Sequence, residues 1–76
     1  MSQEKIRVFV NGTAVEVFRG MEVRHALLTY DHETYAACER GDAVVEDEHG
    51  FPVEIGGYLR EGYKLFIRGW QEKEKE

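Results

Sequence analysis

Two stretches near the start of the chain alternate between apolar and polar positions. Ile6-Arg7-Val8-Phe9-Val10 and Ala14-Val15-Glu16-Val17-Phe18 flank Asn11-Gly12. Successive strand side chains point to opposite faces, and Asn-Gly tolerates the positive φ angles of a type I′ turn, so the pattern predicts a β-hairpin. A loop of that kind fixes the register. Val10 stands opposite Thr13, Phe9 opposite Ala14, Val8 opposite Val15, Arg7 opposite Glu16 and Ile6 opposite Val17. One face then carries Ile6, Val8, Val10, Val15 and Val17. The other carries Phe9, Phe18 and a cross-strand Arg7–Glu16 pair.

Gly20 ends the alternation. From Met21 to Tyr30 the spacing of Val23, Ala26, Leu27 and Tyr30 is helical, which places His25 near the middle of a helix and beside its apolar stripe. Asp31 has the character of an N-cap for a second helical stretch, His32 to Arg40, which Gly41 terminates. Two short helices meeting at Asp31, or one helix kinked there, both fit. Beyond them Ala43-Val44-Val45-Glu46 reads as a short strand and Asp47-Glu48-His49-Gly50 as a turn. Phe51-Pro52-Val53 is an extended stub, Gly56-Gly57-Tyr58-Leu59 a tight connection and Arg60-Glu61-Gly62 a turn. Tyr63-Lys64-Leu65-Phe66-Ile67-Arg68 is the last strand, with Tyr63, Leu65 and Ile67 inward and Lys64, Phe66 and Arg68 outward. The fold class is therefore α+β, and Leu27, Leu59, Leu65 and Ile67 are the expected core. Residues 1–70 make one domain, and 71–76 form a charged tail with no apolar residue to dock, expected to be disordered.

Composition narrows the function classes. The 76 residues carry a net charge of −5, so little phosphate neutralisation is available and no nucleic-acid partner is expected. No apolar run is long enough to span a bilayer, which excludes a membrane helix as an expectation. Met1 to Lys5 runs straight into a strand without an apolar leader segment, from which a cytoplasmic location follows as the expectation. A single cysteine, Cys38, rules out an internal disulfide.

The candidate chemistry is sparse. Cys38 stands at a helix C-terminus beside Glu39 and Asp42, which should raise its pKa and make it a packing thiol. His25, His32 and His49 show no zinc-ligand spacing, Gly56-Gly57 no strand–loop–helix phosphate cradle, and Glu46-Asp47-Glu48 too few ligands for a calcium loop. No catalytic residue, cofactor, metal or small-molecule substrate is expected, and the chain is expected not to be an enzyme.

The order of elements and three phrases resemble the β-grasp (ubiquitin-like) fold, a mixed sheet packed on a helix. Val10-Asn11-Gly12 with Val15-Glu16-Val17 resembles the opening of its sulfur-carrier and ferredoxin-like branches. Gly20-Met21-Glu22-Val23-Arg24-His25-Ala26-Leu27 resembles their helix entry, and Leu59-Arg60-Glu61-Gly62-Tyr63-Lys64-Leu65-Phe66-Ile67 their closing strand. The terminal Gly-Gly of sulfur carriers and the four cysteine ligands of an iron–sulfur cluster are both missing. The resemblance implies a last strand parallel to the first and beside it. That layout gathers Arg7, Phe9, Phe66 and Arg68 on one outer face, with Trp70 continuing the row. The expected function is a non-enzymatic interaction or accessory module that binds a protein partner, or a second copy, through this face. The alternative is a degenerate sulfur-carrier or ferredoxin-like domain associated with cofactor or metalloenzyme metabolism.

Overall fold

A computed structural model describes residues 4–69 of the chain. Strands β1 (Lys5–Val10) and β2 (Thr13–Phe18) form the hairpin, and Asn11 and Gly12 take φ angles of 51° and 85° in its turn. The register runs from Val10↔Thr13 through Ile6↔Val17 to Lys5↔Phe18, as the alternation predicts. Helices α1 (Val23–Tyr30) and α2 (His32–Arg40) follow, then strands β3 (Val44–Glu46) and β4 (Lys64–Arg68). The sheet order is β2-β1-β4-β3, with β1 parallel to β4 and the other neighbours antiparallel. The fold is α+β: a mixed, open four-stranded sheet with two helices among the described residues.

The parallel central pair joins the first strand to the last, β4 beginning beside Phe9 near the end of β1. Phe9 N–H donates to Tyr63 C=O at 2.8 Å and Asn11 N–H to Leu65 C=O at 2.9 Å. Past the end of β1 the Asn11 side chain continues the ladder, its Oδ1 accepting from Ile67 N–H at 3.0 Å. At the far edge β3 is covered by the stub, where Val53 N–H donates to Val45 C=O and Glu46 bridges to Pro52.

The helices are separate, which settles the alternatives left open at Asp31. That residue is extended (φ −170°, ψ 122°), its N–H donates to Leu27 C=O and its carboxylate caps the next helix. The first helix starts later than the apolar spacing suggests. Val23 N–H and Arg24 N–H donate to the Gly57 and Ile55 carbonyls, and Glu22 bridges to Tyr58. His25 consequently sits in the first turn of α1 and not near its middle, where its Nδ1 accepts from Glu22 N–H at 2.9 Å.

The core lies between α1 and one face of the sheet. Ile6, Val8, Val10, Val15, Val17, Val45 and Leu65 meet Val23, Ala26, Leu27 and Leu59 there. Ile67, expected in this set, is only half-buried and packs against its rim with Tyr63. It lies beyond the last β1 residue, where no neighbouring strand residue covers it from that side. The expected strand at Ala43 begins one residue later, although Ala43 itself is buried.

Candidate functional site

The outer face of the sheet is built by the same parity that fills the core. On β1 it shows Lys5, Arg7 and Phe9; on β2, Ala14, Glu16 and Phe18; on β4, Lys64, Phe66 and Arg68; on β3, Val44 and Glu46. Phe9 pairs with Lys64 across the parallel strands, so Phe66, two residues on, is its diagonal neighbour. Phe66 in turn pairs with Glu46, and Val44 with Arg68. The structure thus brings Arg7, Phe9, Phe66 and Arg68 onto neighbouring central strands. Phe18 stands apart, opposite Lys5 at the other end of the hairpin. Trp70, expected to extend the row, lies outside the described residues.

Burial differs from the simplest reading of that face. Phe9 and Phe66 are half-buried, while Arg7 and Arg68 are exposed. The Arg68 guanidinium lies over the Phe66 ring, 5.7 Å from its centroid, and its Nε meets Glu46 Oε1 at 3.0 Å. Lys64 Nζ is 3.8 Å from Glu48 Oε1, and Arg7 Nη2 is 4.0 Å from Glu16 Oε2. These pairs are solvent-exposed and contribute little to stability individually. Their effect is on shape and charge: two half-hidden rings sit among cations that each face a carboxylate. A long-range consequence that alternation within one strand does not reveal is the choice of partners, since Glu46 and Glu48 arrive with β3 and its turn.

Val44 is the member of this face that sequence reasoning passed over. It is 48% exposed beside Arg68, and the available signal was the pattern of β3, whose single inward position is Val45. Phe51 and Tyr58, 64% and 72% exposed, are also apolar groups in solvent, but they stand on loops away from the central pair.

Two titratable groups elsewhere, Cys38 and Asp47, are shifted by their surroundings. Cys38 is half-buried, and burial pushes its thiol upward; this is the physical cause, where the acidic neighbours and helix end had been expected to act. Asp47 is held below the ordinary aspartate range, chiefly by the Phe51 N–H donated to its carboxylate, with the His49 N–H and the His49 ring assisting against desolvation. A shallow groove of about 170 Å³ beside it is lined by charges of both signs, including Glu48, Arg60, Glu61 and Lys64. Among the described residues no group of three or more His, Cys, Asp or Glu is placed to hold a metal ion. No helix among them is long and apolar enough to cross a membrane. Comparison with protein-family models and with curated proteins finds nothing that matches this chain.

Proposed function

We propose that the chain is a β-grasp domain, ubiquitin-like in layout, that acts as a non-enzymatic interaction module and binds a protein partner through its outer sheet face. The strand order β2-β1-β4-β3 with a parallel central pair supports the fold assignment. The observation that carries the functional reading is the anatomy of the face. Phe9 and Phe66 form an apolar centre on the two middle strands, and Arg7–Glu16, Lys64–Glu48 and Arg68–Glu46 form a charged rim around it. Protein interfaces have this arrangement, an aromatic centre that desolvates and a polar border that stays wet. Because each rim cation already faces an acid, the face offers no unbalanced positive field of the kind that draws phosphate backbones.

The test is capture of partners from cells of the source organism by the full chain, followed by affinity measurement with the recovered protein. Phe9→Ala and Phe66→Ala should each lower affinity by ~30-fold or more, the equivalent of ~2 kcal/mol at an interface centre. Half-buried rings contribute to the fold as well, so a stability loss of roughly 1 kcal/mol is expected in each variant, leaving both folded. Glu39→Ala on the exposed side of α2 serves as control. Folded phenylalanine variants that bind as well as the parent would remove this reading.

A further inference from the structure

Asn11-Gly12 sets up a covalent reaction from sequence alone. Asn11 is the only asparagine in the chain, and the glycine after it puts no side chain between the Gly12 amide nitrogen and the Asn11 carboxamide. Both residues are exposed to water. In an unfolded chain such a pair closes on itself, one reason asparagine is thermolabile. The Gly12 nitrogen gives its proton to solvent base and attacks Asn11 Cγ. A new C–N bond forms, the Cγ–Nδ2 bond breaks, and Nδ2 leaves with a solvent proton as ammonia. Water then opens the cyclic imide. Addition at Cγ gives aspartate; addition at the backbone carbonyl carbon gives isoaspartate, in which the main chain runs through the former side chain. One water is consumed, one ammonia is released, and nothing is oxidised or reduced.

The fold opposes the first step. Ring closure needs Asn11 Cβ and the Gly12 nitrogen nearly eclipsed about the Asn11 Cα–C bond. Positive φ at both residues, 51° and 85°, together with the Val10↔Thr13 register, makes the turn type I′, whose first central ψ is about 30°. At that angle the two atoms stand on nearly opposite sides of the bond, so the attacking nitrogen points away from the carboxamide. Strand β4 holds this arrangement from the side. Asn11 N–H donates to Leu65 C=O at 2.9 Å, and Asn11 Oδ1 accepts from Ile67 N–H at 3.0 Å. Turning the Asn11 backbone to the reactive angle undoes the Val10↔Thr13 pair, and swinging the carboxamide away takes the acceptor from Ile67 N–H.

We propose that Asn11 is a deamidation site that the native fold keeps closed, reacting only when the hairpin turn and β4 come apart, and that the isoaspartate product cannot re-form the turn. The isoaspartyl link adds a methylene to the main chain inside a two-residue loop whose length fixes the register. It also turns Cγ into a backbone carbonyl, which removes the side-chain acceptor of Ile67 N–H. The aspartate product keeps the main chain and an acceptor oxygen, and aspartate before glycine suits this turn. Conversion to isoaspartate is thus a one-way record of opening. The inference is independent of the outer-face reading, which rests on Phe9 and Phe66.

Incubating the full chain in mildly alkaline buffer, with and without urea above its unfolding midpoint, tests it. Intact mass reads the exchange of amide for acid, and peptide mapping places it at residue 11 and separates the two products. A short peptide spanning Val10 to Ala14, treated in the same way, corrects for any direct effect of urea. The chain should react more slowly in buffer than in urea by ~10-fold or more, and the peptide about equally in both. Leu65→Ala, which weakens the seat of β4, should react faster than the parent in buffer and like it in urea. Chain purified with isoaspartate at residue 11 should unfold at lower urea than the parent, while Asn11→Asp should stay close to the parent. Equal rates for the folded and unfolded chain overturn the proposal. So does a folded Leu65→Ala chain that reacts as slowly as the parent, because β4 would then not hold the turn. An isoaspartyl chain as stable as the parent overturns the one-way step. The first comparison uses the parent chain alone, so it decides the matter even if Leu65→Ala does not fold.

Discussion

Asp47 holds its turn together from a half-buried position. One carboxylate oxygen accepts from His49 N–H at 2.9 Å and from Phe51 N–H at 3.0 Å, while its own carbonyl accepts from Gly50 N–H. Both side-chain bonds favour the ionised form, which is why the folded pKa lies below the ordinary value. A depressed folded pKa adds stability that is complete above the unfolded pKa and is lost as pH falls through the folded one. Asp47→Ala should therefore lower the denaturation midpoint at neutral pH, and the gap to the parent should narrow as pH falls through the folded pKa. Asp47→Asn, which retains the acceptor oxygen without the charge, should fall between them at neutral pH. A gap that widens in acid would refute this account. The sequence shows Asn11-Gly12 as a turn because its φ requirement is local. It does not distinguish Asp47 from Glu46 and Glu48, since only the path of the backbone around Phe51 selects one carboxylate. His25 was equally hidden: imidazole at the third helical position stands where Glu or Gln usually closes a capping box.

Between the two helices one residue serves both ends. Asp31 N–H satisfies Leu27 C=O at the close of α1, and Asp31 Oδ2 accepts from Thr34 N–H at 3.1 Å and Thr34 Oγ1 at 2.9 Å at the start of α2. The carboxylate also stands at the positive end of the α2 dipole. Asp31→Ala should cost about 0.5–2 kcal/mol of unfolding free energy, and Asp31→Asn appreciably less, read from urea midpoints at unchanged slope. The chain announces the cap at Asp31 but not the break. A cap for α2 is compatible with continuous or interrupted helix before it, and the extended φ of one residue decides. The same holds for the start of α1, where the loop carbonyls of Ile55 and Gly57 claim the Val23 and Arg24 amides from a distant part of the sequence.

Taken whole, the molecule depends on a few large side chains between α1 and the sheet. Leu27 and Leu65 are fully buried, one from each layer. Leu27→Ala or Leu65→Ala should cost ~2–5 kcal/mol, a large share of what a domain this small can have. Ile67→Ala at the half-buried rim should cost less than either, and equal losses at Ile67 and Leu65 would contradict the layer assignment. The inward and outward sets of β1, β2 and β4 were legible because alternation is a property of each strand alone. The half-burial of Phe9 and Phe66 was not, and neither was the covering of β3 by residues 51–53. Both depend on which strand lies beside which, and on side chains brought from β3 and its turn.

Asn11 has a bearing on how the chain assembles. It closes the hairpin, an event of microseconds, and its side-chain oxygen also receives Ile67 N–H, 56 residues away in sequence. A hairpin formed first would place that oxygen past the end of β1 before the remote strand arrives. The slow step of closing the long intervening loop then ends on an acceptor already aimed, next to amide and carbonyl groups of β1 in the right phase. A local turn and a non-local strand pairing thus share one residue, so the fast event orients the site at which the slow one is completed.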